Sequence, residues 1–111
     1  MTSPWSDECG FLNNNGSADK GKGGGFIAGA DIRQIEGVKS VDEGTELARQ
    51  GQHILQHFGR FTFPVVAAVN GHCMGGGTEF ILACNYRIAA VDAAIALPEI
   101  KLGILPGFGG T

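Results

Sequence analysis

Residues 64–80 read PVVAAVNGHCMGGGTEF: an apolar run opened by Pro64, three consecutive glycines, then Thr78 and Glu79. VVAAVN is rich in valine and too short for a helix, so it reads as a strand buried on both faces, as in parallel sheets. TEFILAC, on the far side of the glycines, reads as a helix. Glycines between a strand and a helix leave the N–H groups of the helix's first turn unobstructed at the positive end of its dipole, a place for an anion or a developing oxyanion. They equally suit plain close packing of helix on strand. This stretch alone does not separate the two.

Upstream, FIAG at 26–29 is a short apolar piece, Asp31 is placed to cap a helix, and IRQIE closed by Gly37 predicts a short one. Ser40 with Glu43 three residues later is a capping-box pattern. From there Leu47, Ala48, Gly51, Ile54, Leu55 and Phe58 recur at helical spacing up to Gly59. Downstream, NYRIAAV reads as a strand and AAIALP as a second extended piece ending at Pro98 and Glu99. Strands alternating with helices define an α/β class. Residues 1–22 have no period and hold a run of Asn, Gly and Ser, so they are expected to be a disordered leader, with the domain at 23–111.

The totals exclude several functions. A chain of 111 residues is at most one modest domain. Its formal net charge is -3, and its 8 Lys and Arg residues are scattered singly, so no basic stripe can neutralise a phosphate backbone. The 3 cysteines have neither CxxC nor Cys/His zinc spacing, which indicates no metal site and suits a reducing compartment. With no signal-peptide pattern and no apolar run of membrane-spanning length, a soluble cytoplasmic protein is expected.

Glu79 and Glu99 could grip one water between them if the sheet brings both ends together, for general acid–base work. A turn acid at Glu99 and a favourable first-turn charge at Glu79 are the bland alternatives. Ala30, ahead of Asp31, offers another N–H at a helix start, against plain capping by Asp31. Gly16, Gly21 and Lys22 match a phosphate loop except that Gly23 stands where Ser or Thr must hold magnesium. His53 and His57 lie one helical turn apart, but Ile54 stands where the zinc-protease motif needs Glu. No G-x-S-x-G occurs, so the nucleophile elbow of the α/β-hydrolases is excluded.

FIAGADI, PVVAAVNGHCMGGGTEF and LPEIKLGILPGFGGT, in this order over about 86 residues from Phe26 to Thr111, resemble the crotonase superfamily, and within it the enoyl-CoA hydratases. With NYRIA, the wording is most similar to the hydratase part of multifunctional fatty-acid oxidation proteins. The resemblance implies a crotonase-like fold of repeated ββα units, here incomplete at both ends. It implies acyl-CoA thioesters as substrates, no cofactor beyond the CoA they carry, and a homotrimer or hexamer for the complete family member.

Matched by position, the resemblance implies an oxyanion hole at Ala30 and Gly76, catalytic acids at Glu79 and Glu99, and substrate contacts at Ala28, Gly29, Ala30, Asp31, Gly75 and Gly76. The implied reaction is addition of water to a trans-2-enoyl-CoA, giving a 3-hydroxyacyl-CoA in β-oxidation. Relatives that only shift the double bond generally keep the acid at the Glu99 position and lose its partner, so retaining both favours hydration, with an enoyl-CoA isomerase as the alternative. A truncated, inactive chain with at most weak acyl-CoA binding is a third reading.

Overall fold

The computed structural model describes residues 25–27, 29 and 35–111. The leader expected over residues 1–22 therefore lies outside the described residues. Ile35 and Glu36 are helical and Gly37 turns the chain, in line with the short helix expected to close there. The elements that follow are built around one small core.

Strand β1 spans Gly25–Ile27 and helix α1 spans Val41–Gln56. The α1 cap is as its sequence predicts: Ser40 Oγ accepts from the Glu43 N–H at 3.1 Å. The return half of the box is displaced by one residue, because Glu43 Oε2 accepts from the Lys39 N–H at 2.9 Å. Asp42 and Glu43 also place negative charge in the first turn, where the helix dipole favours it. Gly59 does not end the helix. It lies inside a 3-10 turn, His57–Arg60, which carries the chain on and buries Phe58.

Strand β2, Val66–Val69, is followed after Asn70 and Gly71 by a second strand, β3, His72–Met74, and only then by helix α2, Gly76–Ala83. The sequence reading ran the apolar strand straight into the glycines. The structure inserts β3 between them, and three residues are too few to show a period of two. Next come β4, Tyr86–Ala89, β5, Ile95–Ala96, and a 3-10 turn over Pro98–Leu102 that stops at Gly103 in the left-handed region, φ 69°.

Two parallel sheets result, one ordered β1-β3-β5 and one pairing β2 with β4. Consecutive strands thus go to different sheets: β2 and β3 separate, and β4 and β5 repeat the separation beside them, β2 pairing β4 and β3 pairing β5. β2, β3 and α2 make one ββα unit, against which β4 and β5 are laid. Asn85 sets the register of the β2–β4 pair, since its Oδ1 accepts from Val65 N–H at 2.8 Å while its own N–H donates to Val65 O at 2.9 Å.

The core gathers Phe26 from β1, Ala67 and Val69 from β2, Cys73 from β3, Ile81 and Cys84 from α2 and its end, with Phe58 and Val65. Contrary to the expectation of burial on both faces, β2 alternates: Val65, Ala67 and Val69 are buried, Val66 and Ala68 half-buried. Burial of Cys73 and Cys84 pushes both thiols above their ordinary value, opposed by a hydrogen bond from Thr78 at Cys73 and by the Arg87 charge at Cys84. Arg87 Nη1 also donates to Ile81 O and Leu82 O, at 3.3 and 3.4 Å, and so satisfies the end of α2.

Candidate active site

Helix α2 begins at an abrupt bend. Its N-cap, Gly75, has φ 55° and ψ -123°, a conformation open to glycine and strained for other residues, and no side chain caps the helix. The Gly75 N–H is occupied by Ala96 O at 2.9 Å, so Gly75 is the pivot and not the free donor. The Gly76 N–H, one residue on, has no partner within the helix.

Thr78 fastens this bend to two strands of the three-stranded sheet, β3 and β5. Its Oγ1 lies 2.9 Å from Cys73 O and 2.7 Å from Ala96 O, so one hydroxyl proton is shared between β3 and β5. Gly77 permits the approach from the other side: a Cβ there would meet Ile27 Cβ at 2.6 Å and the Ile27 carbonyl at 2.8 Å. Of the three glycines, one supplies the bend, one an N–H with no partner within the helix, and one the close contact with β1. The close-packing reading of GGG therefore holds at Gly77.

Glu79 is 4 % exposed. Its Oε1 accepts from two backbone donors of the loop 107–110, Phe108 N–H at 2.7 Å and Gly110 N–H at 3.0 Å. Glu99 reaches the same place from the 3-10 turn after β5. Its Oε1 lies 3.1 Å from where a Gly75 Cβ would stand, and its Oε2 is buried with no hydrogen-bond partner among the described residues. Glu79 Oε2 lies 4.0 Å from the corresponding point at Gly76. The two acids thus flank the start of α2.

They line one cleft of about 630 Å³. Its lining includes Glu79 and Glu99 with Gly29, Gly75 and Gly76; Leu47, Ala48, Leu102, Ile104 and Leu105 are among its apolar residues. The apolar stripe of α1 accordingly serves partly as cleft wall, and α1 has no fully buried residue. Among the sequence-predicted site residues, Gly29, Gly75, Gly76, Glu79 and Glu99 come together; Ala28, Ala30 and Asp31 lie outside the described residues. Sequence reasoning missed Thr78, Phe108 and Gly110. The only signal for the last two was the turn-like spacing of glycines in GFGG.

Among the described residues no group of three or more His, Cys, Asp and Glu side chains is placed to hold a metal ion, and no helix is long and apolar enough to cross a membrane. His53 and His57 meet edge to face, 4.7 Å between ring centroids, on the exposed side of α1.

The chain belongs to the enoyl-CoA hydratase/isomerase family, whose model matches residues 20–111, and its two interleaved parallel sheets are part of the crotonase fold. The fatty acid oxidation complex subunit alpha of Vibrio vulnificus is 50% identical to it over 88 residues, 78% of this chain and 12% of that protein. The subunit of the same name from Idiomarina loihiensis is 42% identical over 118 residues, covering 96% of this chain and 17% of that one. The crystal structure of enoyl-CoA hydratase from Thermoplasma volcanium superposes with a TM-score of 0.72 at 35% identity, covering 80% of this chain and 36% of that one. The chain thus spans roughly an eighth to a sixth of the length of these curated relatives and about a third of that hydratase.

Proposed function

We propose that this chain carries the water-adding centre of a trans-2-enoyl-CoA hydratase. The observation that carries the proposal is that Glu79 and Glu99 line one cleft on either side of the Gly75–Gly76 helix start. Addition of water to C3 pushes the π electrons onto the thioester oxygen, and an N–H at the start of α2 is placed to hold that oxygen as it gains charge. The proton that leaves the water is replaced by one delivered to C2. A pair of carboxyl groups that takes it on one oxygen and returns it from another completes the reaction with no redox step.

In this reading Gly76 N–H and Ala30 N–H form the oxyanion hole. Ala28, Gly29, Ala30, Asp31 and Gly75 contact the CoA thioester. Glu99 Oε2, buried without a hydrogen-bond partner among the described residues, is the oxygen this reading assigns to water. No cofactor is needed, since CoA enters as part of the substrate. The names of the similar fatty acid oxidation subunits and hydratase support β-oxidation as the setting. We extend the reading to a cytoplasmic setting, with trimers or hexamers for the complete family member; the exposure of Ile88, Val91 and Leu105 supports burial against further protein surface.

The experiment is loss of the enoyl absorbance of crotonyl-CoA on addition of the purified chain. The expected result is turnover that falls by roughly 10²- to 10⁴-fold in Glu99→Gln. Equal rates in the two proteins would sink the proposal.

A further inference from the structure

We infer that Gly51 and Gln52, on α1, are positioning residues for Glu79, acting through the loop 107–110. The inference rests on the reading of Glu79 as a catalytic acid, and it concerns what keeps that acid in place.

The loop that completes Glu79 has little stiffness of its own. It runs Gly107, Phe108, Gly109, Gly110, with Gly109 at φ 113°, and glycine-rich backbone loses more conformational freedom on ordering than any other. Two of its N–H groups nevertheless converge on one carboxylate oxygen, and Gly110 lies so close that a Cβ there would be 3.1 Å from Glu79 Cγ. Something outside the loop must hold it to that geometry.

That support comes from adjacent residues of α1. Gln52 Nε2 donates to Gly107 O at 2.7 Å, across 55 residues of sequence. At Gly51 the Phe108 ring lies directly over the helix backbone, where a Cβ would overlap three ring carbons, Cε1, Cδ1 and Cζ. One turn earlier, the Ala48 Cβ stands 3.7 Å from the Cβ position of Gly107. Ala48, Gly51 and Gln52 share one face of α1, and that face grips the loop at Gly107 and Phe108. Phe108 then connects the two ends: its ring seats on Gly51 and its N–H holds Glu79.

Helix chemistry alone gives no reason for Gly51. Glycine within a helix of 16 residues disfavours it relative to alanine, so Gly51→Ala would stabilise α1 if nothing lay above it. The ring of Phe108 reverses that expectation. A methyl at position 51 must push the ring away and with it the N–H that Glu79 accepts.

The test is a comparison of the ¹H–¹⁵N amide signals of Phe108 and Gly110 in the full chain, with Glu79→Gln as the reference for loss of the carboxylate. Gly51→Ala and Gln52→Ala are expected to displace both amide signals and to speed hydrogen exchange at Phe108 by on the order of tenfold or more. Gln52 is exposed, so its variant covers the case in which Gly51→Ala does not fold. Adding Phe108→Ala to Gly51→Ala removes the overlapping ring and is expected to restore the Gly110 signal. Turnover of crotonyl-CoA by Gly51→Ala is expected to drop in kcat by roughly 10- to 100-fold with KM within about twofold, as for a misplaced catalytic group.

Wild-type amide signals and exchange in both single variants would overturn the inference whatever the turnover, as would failure of the ring deletion to restore Gly110. Displaced amides in a chain whose wild type shows no turnover would support it and count against the hydratase reading instead.

Discussion

The Phe108 N–H donates to Glu79 Oε1 over 2.7 Å, joining an acid in the first turns of α2 to a loop 29 residues further along. A second donor, Gly110 N–H, meets the same oxygen at 3.0 Å, so one oxygen of the carboxylate is committed to protein structure and the other faces the Gly76 side of the cleft. Carboxylates that accept backbone N–H groups are held by charge-assisted bonds stronger than neutral ones. The acid therefore both lines the cleft and ties α2 to the loop 107–110.

These two roles separate by substitution. Glu79→Gln keeps an oxygen able to accept from Phe108 and Gly110, so its urea unfolding midpoint should stay near the wild-type value while hydration falls by roughly 10²- to 10⁴-fold. Glu79→Ala strands both donors and should in addition cost about 1–3 kcal/mol. Equal stability of Gln and Ala variants would show that the tie contributes nothing.

Gly77→Ala should destabilise by about 1–3 kcal/mol, because its methyl group would meet the side chain and carbonyl of Ile27 on β1 and neither can withdraw without breaking the β1–β3 pair. Gly59→Ala is the matched control: nothing lies within 4 Å of its Cβ position, and its effect should stay within about 0.5 kcal/mol. Denaturant unfolding of the two variants side by side provides the measurement. A Gly77→Ala protein as stable as Gly59→Ala would contradict the close approach.

Much of this architecture could be read from residues near one another in sequence. The Ser40–Glu43 pair announced the start of α1, and Pro98–Glu99 marked the end of an extended piece, since capping and turn formation are local chemistry. β3 was not legible: HCM is too short for a period, and it exists because its backbone pairs with β1 and β5, the latter more than 20 residues on. For the same reason Glu79 could be picked out, whereas its partners Phe108 and Gly110 could not. The amphipathic stripe of α1 was visible, but the sequence does not say whether such a stripe faces core or cleft. At Leu47 and Ala48 it faces the cleft.

Alkaline pH should weaken the fold through its two buried thiols. Cys73 and Cys84 have pKa values raised by burial, so each holds its proton more tightly folded than unfolded. Their contribution is fully present below the unfolded thiol value of about 8.5 and is lost as pH rises through the raised folded values. Urea midpoints measured at neutral and alkaline pH should therefore fall further in the wild type than in the Cys73→Ala/Cys84→Ala double variant. An identical fall in both proteins would assign the alkaline loss to other groups.

Thr78 tests whether the bend that presents the Gly76 N–H is held or merely tolerated. Its hydroxyl is shared by Cys73 O on β3 and Ala96 O at the end of β5. Thr78→Val keeps the shape and removes the proton, leaving two carbonyls to face a methyl group, so it should cost about 1–3 kcal/mol. Thr78→Ser retains the proton and should recover most of that loss. If the hydroxyl also fixes the position of the Gly76 donor, the Val variant should lose kcat with little change in KM, because an oxyanion donor acts chiefly where charge develops. Wild-type kcat in a destabilised Thr78→Val protein would leave Thr78 a purely structural fastening and place the control of the Gly76 N–H with Gly75 and its bond to Ala96 O.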